Sequence, residues 1–213
     1  MALTRDEVVR TAVRLLDEVG LDGLTLRRLA GELGVSAPTL YWHVRDKRAL
    51  LDLMAEAIIG TRTSPLHPAP GQPWWEWLRE AVWAQYRALV GHRDAALVTA
   101  GNRPTDAGLP VVERVVGNLV DVGFPPDEAL RTILALGHYV IGAAVEFQAE
   151  AGRTAGGSDV PPRPPAADLP HLAAAARLGP GGDPDRVFGH GLDLMVAGLR
   201  ARHAELVGQD RRP

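Results

Sequence analysis

Residues 25–48 read TLRRLAGELGVSAPTLYWHVRDKR, and this stretch decides the fold of the N-terminal part of the chain. Thr25 is a typical N-cap for a short helix, and Gly34 breaks the chain after that helix. Ser36 is the next N-cap and starts a second short helix over about 37–43. A helix of about two turns is not stable alone in water, so neighbouring elements have to hold it. The pattern therefore predicts a helix-turn-helix, whose second helix enters the major groove of DNA.

The side chains of this motif divide into an apolar set and a polar or aromatic set. The apolar set, which fixes the angle between the two helices, consists of Leu29, Ala30, Leu33, Val35, Leu40 and Val44. The second helix also carries Thr39, Tyr41, Trp42 and His43, whose polar groups are able to donate hydrogen bonds to phosphates. Aromatic faces also pack on sugars and thymine methyl groups. The alternative is that Tyr41 and Trp42 belong to the core, and the residue types alone leave it open.

Basic side chains are concentrated beside the same motif. The whole chain has a formal net charge of −3, so a nucleic-acid site requires a local positive patch. Five basic and two acidic residues lie from Arg27 to Arg48, an excess of three positive charges, although an ordinary solvated helix surface also fits. Lys47 is the only lysine in the sequence. It lies in the first turn of the fourth predicted helix, where its ammonium and the free backbone N–H groups favour a phosphate.

Helical periodicity continues along the rest of the chain, and no alternating strand pattern appears. We therefore expect an all-α protein, with a three-helix DNA-binding domain over residues 1–62 and a helical domain over residues 63–213. Loops rich in Pro and Gly are expected at 63–73 and 152–167. The predicted helices cover about residues 5–19, 25–33, 37–43, a segment starting after 46, 74–90, 108–122, 126–148, 168–178 and 184–206.

Composition and motifs argue against several other classes of protein. The chain has no cysteine, which excludes disulfides and thiol catalysis, and its N-terminus is too charged for a signal peptide. It has no apolar run of about 18 residues, so we expect a cytoplasmic protein that makes no membrane contact. The seven histidines form no HExxH pattern, and phosphate-loop and G-x-S-x-G motifs are absent, so we expect no enzyme activity. A nonspecific DNA-architectural protein would be strongly basic, which this chain is not.

The segment GLDGLTLRRLAGELGVSAPTLYWHVRDKRALLD at residues 20–52 resembles the DNA-binding domain of the tetracycline-repressor (TetR) family. The resemblance continues to about Gln148 and returns at 188–199. It implies a repressor that binds double-stranded DNA as a homodimer, senses a small-molecule effector in its C-terminal domain, and dimerises through helices 126–148 and 184–206. Two alternatives keep this fold: an activator, or a regulator that senses a protein.

The resemblance also implies which residues contact DNA. One departure from the family pattern is Ala37, which stands where tetracycline repressors carry a base-reading glutamine. Alanine has no hydrogen-bonding side chain, so we expect an operator different from the tetracycline operators. The expected DNA-contacting residues are Arg27, Ser36, Ala37, Thr39, Tyr41, Trp42, His43 and Lys47.

The effector site is expected to differ from that of the tetracycline repressors, which hold a magnesium–drug chelate. Their metal-binding histidine corresponds to Thr99, and four drug contacts correspond to Thr63, Ala81, Gln85 and Val115. Without the imidazole, the surroundings are too poor in carboxylates to hold Mg²⁺, so we expect a metal-free site without a cofactor.

A metal-free site of this kind would take a flat, largely hydrophobic compound. Asn102, Arg103 and Gln85 would supply the orienting polar groups. The predicted helix over 74–90 would wall the site with the aromatic side chains of Trp74, Trp77, Trp83 and Tyr86. The alternative is that these tryptophans belong to the core or to an interface. The full set of expected ligand-contacting residues is Trp74, Trp77, Ala81, Gln85, Thr99, Asn102, Arg103, Pro104, Val115, Ile133 and Glu146.

Overall fold

The computed structural model describes residues 3–60, 65–155, 168–175 and 183–209. Over these ranges the chain is helical and contains no strand, which confirms the all-α prediction for them. The helices are α1 (Arg5–Gly23), α2 (Leu26–Glu32), α3 (Ala37–Tyr41), α4 (Lys47–Gly60), α5 (Trp74–Val90), α6 (Ala95–Thr99), α7 (Leu109–Val120), α8 (Pro126–Ala155), α9 (Pro170–Ala175) and α10 (Pro184–Gln209).

Helix α1 begins where the sequence predicts and is interrupted at Gly20. Thr4 caps the helix, and its hydroxyl accepts a hydrogen bond from the backbone N–H of Glu7 at 3.2 Å. Gly20 has φ 72° and ψ 175°, a conformation that only glycine adopts easily. The chain then makes one further helical turn to Gly23. The predicted end at Gly20 is therefore a kink. The buried side of α1, which packs on α4, includes Val8, Ala12, Leu15 and Leu16.

One helix is absent from the prediction, and α8 is longer than predicted. Helix α6 is absent because its five residues, Ala95–Thr99, are too few to show a helical period. Asp94 precedes it with a left-handed backbone, φ 55°. Helix α8 continues past the predicted end at Gln148 to Ala155, because the Ala and Glu residues that follow favour a helix. The first residues of the predicted second loop are thus helical.

Three predicted segments lie partly outside the described residues. Helix α9 covers Pro170–Ala175 of the helix predicted over 168–178, and residues 176–178 lie outside the described residues. Residues 156–167, which form most of the predicted second loop, lie outside the described residues. Part of the first predicted loop, residues 61–64, lies outside them as well.

An aromatic cluster joins α5, α8 and α10. The Tyr86 and Phe188 rings are stacked with their centroids 4.0 Å apart, and Tyr139 stacks on the same phenylalanine at 5.1 Å. The Tyr139 hydroxyl donates a hydrogen bond to the Phe188 carbonyl at 2.7 Å. Burial in this cluster raises the pKa of Tyr86 to about 12. These contacts fix the position of α5, which forms one wall of the cavity described below.

Polar contacts tie the end of α1 to the segment before α6. Asp17 accepts a hydrogen bond from the backbone N–H of Arg93 at 3.0 Å, and its second oxygen lies 2.9 Å from Nδ1 of His92. Immediately after the kink, the backbone N–H of Leu21 donates to Asp94 Oδ2 at 2.8 Å. Hydrogen bonds of the Asp17 and Asp94 side chains therefore join α1 to the segment directly before α6.

Replacing Gly20 by alanine should lower the free energy of unfolding by about 1–3 kcal/mol, because alanine is strained at a positive φ. The new Cβ would also lie 2.8 Å from Asp94 Oδ2, the oxygen that binds Leu21. The matched control is Gly117→Ala, a helical position in α7 where an added Cβ meets nothing within 4 Å. That change should stabilise the protein by about 0.5–1 kcal/mol. Urea unfolding at one fixed protein concentration measures both, and equal effects would contradict the assigned kink.

Candidate functional site

The helix-turn-helix has the caps that the sequence predicts. The Thr25 hydroxyl accepts a hydrogen bond from the backbone N–H of Arg28 at 3.1 Å, which caps α2. The Ser36 hydroxyl accepts from the backbone N–H of Thr39 at 3.3 Å, which caps α3. The residues that anchor the motif to the core are Leu29, Ala30, Leu40 and Val44, all buried.

Two aromatic side chains project from this motif into solvent. Tyr41 is 54% exposed and Trp42 is 87% exposed. The alternative that places them in the core is therefore wrong. Exposing so large an indole is unfavourable unless something covers it, so these rings mark an interaction surface.

The other predicted DNA-contacting residues lie close to these rings. Arg27 lies on α2, Ser36 caps α3, Ala37 and Thr39 lie on α3, and Lys47 begins α4. Helix α3 ends at Tyr41, two residues before the end predicted for it, so His43 lies in the turn between α3 and α4. All of these residues are exposed except His43, which is half-buried. The Lys47 ammonium donates to the Leu21 carbonyl at 3.3 Å while its side chain remains exposed. The members of this set are Arg27, Ser36, Ala37, Thr39, His43 and Lys47.

Asp46 fixes the start of α4 beside this surface. Its Oδ1 accepts a hydrogen bond from the backbone N–H of Ala49 at 2.8 Å. That hydrogen bond, together with the neighbouring Arg45, holds the pKa of the Asp46 carboxyl below its usual value. The carboxylate therefore stays charged at neutral pH and keeps the first turn of α4, which carries Lys47, in place.

A cavity of about 370 Å³ lies behind the helix-turn-helix. Helices α4, α5, α7 and α8 wall it, together with short segments at 65–66 and 102–108. Its volume is within the range of about 300–1,000 Å³ that is usual for small-molecule sites. The lining residues are Glu56, Ile59, Gly60, Pro65, Leu66, Trp77, Leu78, Ala81, Val82, Gln85, Asn102, Pro104, Ala107, Gly108, Val111, Val112, Val115, Ile133 and Leu136.

Seven of the predicted ligand-contacting residues line this cavity. Trp77 is buried in its wall, and its indole N–H donates to the Pro65 carbonyl at 2.9 Å, which holds the 65–66 segment against α5. Gln85 is half-buried, and its side chain makes no hydrogen bond to any other described residue. The seven are Trp77, Ala81, Gln85, Asn102, Pro104, Val115 and Ile133.

The other four predicted residues lie away from the cavity. Trp74 belongs to the core, with its ring 5.2 Å from that of Phe124. Thr99 is buried, and its hydroxyl donates to a carbonyl of its own helix at 2.8 Å. Arg103 and Glu146 are exposed to solvent. In each case the direction of the side chain depends on how neighbouring helices pack. Aligning the residue with a family position does not show that direction.

Glu56 is a lining residue that the sequence analysis missed. Its two carboxylate oxygens accept hydrogen bonds from Thr105, one from the backbone N–H at 2.6 Å and one from the hydroxyl at 2.9 Å. The available signal was the spacing of Arg48, Asp52 and Glu56, which places three charged side chains on one face of α4. We call these three residues the polar stripe of α4.

The polar stripe connects α4 to the segment 101–105, which leads into the cavity wall. The Arg48 guanidinium donates to the Gly101 carbonyl at 2.6 Å and pairs with Asp52 at 2.8 Å. The Asn102 amide donates to the backbone carbonyl of Asp52 at 3.2 Å. The helix that starts at Lys47 is thus hydrogen-bonded to residues that surround the cavity.

The part of the chain that the structure describes contains no group of three or more His, Cys, Asp or Glu side chains arranged for a metal ion. Thr63, which aligns with a drug-contacting histidine of the tetracycline repressors, lies outside the described residues.

Comparison with known proteins matches both parts of the chain. Residues 8–54 match the profile described as "Bacterial regulatory proteins, tetR family". Residues 67–203 match the profile described as "Tetracyclin repressor-like, C-terminal domain". The chain belongs to the TetR family.

Full-length relatives agree with this assignment. The tetracycline repressor protein class D from Escherichia coli is 36% identical over 212 residues, which cover 98% of this chain and 96% of that protein. The crystal structure of the TetR family protein ActR from Streptomyces coelicolor in complex with actinorhodin has a TM-score of 0.79 at 32% identity and covers 95% of this chain and 99% of ActR. TetR (class A) in complex with 5a,6-anhydrotetracycline and magnesium has a TM-score of 0.71 at 32% identity, and the match covers 93% of this chain and 99% of that chain.

These relatives identify the TetR-family chain as a transcriptional regulator with an N-terminal helix-turn-helix, and the known ligand complexes fit a ligand-responsive repressor. The family resemblance stated from the motif is confirmed.

Proposed function

We propose that this TetR-family protein binds a palindromic operator as a homodimer and is released by a small, largely hydrophobic effector that enters the 370 Å³ cavity. The observation that carries the proposal is the polar stripe of α4, which joins the cavity wall to the helix that begins beside the recognition surface. The proposal includes a cytoplasmic, non-enzymatic protein with a DNA-binding domain over 1–62 and a sensing and dimerisation domain over 63–213.

The proposed DNA surface consists of the exposed rings of Tyr41 and Trp42 with the residues around them. Phosphate contacts would come from Arg27 and Lys47, whose charges are the sequence-independent part of DNA affinity. Base contacts would come from α3, which is the second helix of the helix-turn-helix. The remaining members of the proposed set are Ser36, Ala37, Thr39 and His43.

The proposed dimer uses apolar side chains on α8 and α10 that are exposed in the single chain. Leu130 and Leu134 on α8 are 42% and 51% exposed, and Leu194 on α10 is 61% exposed. A groove of about 320 Å³, with Met195 and Leu199 in its lining, runs between the two helices. A second copy of the chain would bury this surface, and two recognition helices would then face successive turns of DNA.

Helix α8 is also long and apolar enough, over Pro126–Gly152, to cross a membrane by length and composition. The most apolar 18-residue window of this span has a mean hydropathy of 1.3, and 17% of that window is buried within the chain. One helix of this kind is weak evidence for a membrane. A dimer interface accounts for the same exposed apolar surface, and we propose it as the reason.

The proposed mechanism is a population shift. A ligand in the cavity that binds better to a form with separated DNA-binding domains would lower the affinity for the operator. Glu56 and Asp52 make α4 sensitive to the position of residues 101–105. A swing of α4 would then change the distance between the two recognition helices.

Selection of bound sequences from a random DNA pool tests the proposed function. The purified full-length protein at near-physiological salt should recover a palindrome with two short half-sites, as two symmetric recognition helices require. Recovery of no motif, with binding that disappears as salt rises, would instead assign the protein to nonspecific DNA binding.

Tyr41→Ala should weaken operator binding by about 5- to 150-fold, the effect of losing about 1–3 kcal/mol of contact. Because Tyr41 is 54% exposed, its loss should leave the thermal unfolding midpoint and the dimer nearly unchanged.

Lys47→Ala should weaken binding to all sequences and reduce the slope of log affinity against log salt by about one. Fluorescence anisotropy over a salt series measures both.

The matched control for Lys47 is Arg114→Ala, which removes one positive charge from an exposed position on α7. It should leave both the affinity and the salt slope as they are. Unchanged operator affinity in the Tyr41 and Lys47 variants together would rule out the proposed DNA surface.

Tetracycline with magnesium should not release the operator. Thr99 occupies the position of the metal-binding histidine, and its buried hydroxyl is engaged by the Ala95 carbonyl. Isothermal titration calorimetry with and without Mg²⁺ measures this, with the class A TetR of the anhydrotetracycline–magnesium complex as the positive control. Tight metal-dependent binding by the present chain would contradict the proposed metal-free site.

A further inference from the structure

The charge of the cavity lining comes from one residue. Among the described residues that line the cavity, Glu56 is the one with an ionisable side chain, and the rest are apolar apart from Gln85, Asn102 and glycine. The nearby guanidinium of Arg48 is engaged by Asp52 and the Gly101 carbonyl. The cavity described here is therefore apolar with one negative group in its wall.

Glu56 is held in place from two sides. Thr105 donates one hydrogen bond to each carboxylate oxygen, at 2.6 and 2.9 Å. On the other side lies Gly108, where an added Cβ would collide with Glu56 Oε1. A carboxylate oxygen has two lone pairs, so each oxygen keeps acceptor capacity after binding Thr105. The site presents a fixed carboxylate with room for further hydrogen-bond donors.

The neutral polar side chains of the lining offer both donors and acceptors. One N–H of the Asn102 amide donates to the Asp52 carbonyl, which leaves its second N–H and its oxygen for other partners. The Trp77 indole N–H is engaged by the Pro65 carbonyl. The Gln85 amide adds further N–H donors and an acceptor oxygen. Since these groups carry no net charge, the charge that an anion meets in the described lining is the like charge of Glu56.

We infer that Glu56 makes this cavity selective for planar aromatic compounds that carry a cationic nitrogen or a hydroxyl donor, and that it excludes anionic compounds of the same shape. In an apolar cavity a charge interacts more strongly than in water, whether it attracts or repels. Charge-assisted hydrogen bonds to a carboxylate are the stronger class of hydrogen bond. The inference deepens the proposed function, since it rests on the cavity being the effector site.

Three fluorescent probes of nearly equal size test the inference: aminomethylanthracene, anthracenemethanol and anthracene carboxylate. They share one ring system and differ in the charge of one substituent. Titrated against the full-length protein at neutral pH and followed by fluorescence, the amine should bind at least about tenfold more tightly than the carboxylate, with the alcohol between them.

The variant Glu56→Gln keeps the shape of the side chain and removes its charge. It should reduce the preference for the amine over the carboxylate to within about threefold. The matched control Glu113→Gln removes the same charge from an exposed position on α7 that does not line the cavity. That control should leave the preference of the unmodified protein intact.

Several outcomes would overturn the inference. Binding of the carboxylate to the unmodified protein as tightly as the amine, or more tightly, would overturn it. Equal preferences in the Glu56→Gln variant and the unmodified protein would overturn it too, as would the absence of binding by all three probes. Because these titrations contain no DNA, their result is independent of the operator selection, which tests the proposed function.

Discussion

Helix α4 packs on α1 with one side and is hydrogen-bonded to residues 101–105 by the other. The position of the helix-turn-helix relative to the cavity therefore depends on α4. Its apolar side, with Leu50, Met54 and Ile58 fully buried, closes the core against α1. Its polar stripe binds residues 101–105 through the Gly101 carbonyl, Asn102 and Thr105. Because buried apolar packing resists gradual deformation, a displacement of the stripe in the proposed mechanism would move α4 as a unit with the helix-turn-helix.

A second attachment limits the directions in which that unit can move. The end of α1 is bound to the segment before α6 by Asp17 and by Asp94, which accepts from the backbone of Leu21 beyond the kink. The two attachments lie at opposite ends of the short segment 92–105. In the proposed mechanism, a change at the cavity end of this segment would therefore turn the helix-turn-helix about the α1 contact.

The sequence predicted the parts of the protein that depend on local chemistry. The caps at Thr25 and Ser36 and the extent of α5 follow from neighbouring residues along the chain. Residues whose role depends on packing between distant helices were missed or misplaced. Glu56, which lines the cavity, is absent from the expected ligand-contacting residues, and Trp74 is among them although it packs on Phe124. Burial of a side chain is decided by the whole fold, which a local pattern does not contain.

The energies involved are consistent with a single polar group coupling the cavity to DNA. Allosteric coupling between two sites is typically about 1–3 kcal/mol, which changes affinity by about 5- to 150-fold. One hydrogen bond to a charged group contributes about 1.5–3 kcal/mol. A ligand shifts the equilibrium only by its difference in affinity between the two forms, so apolar contacts made equally in both contribute nothing. Glu56 lines the cavity and lies on α4, the element that would move in the proposed mechanism, so a bond to it is of the kind that would differ between the forms.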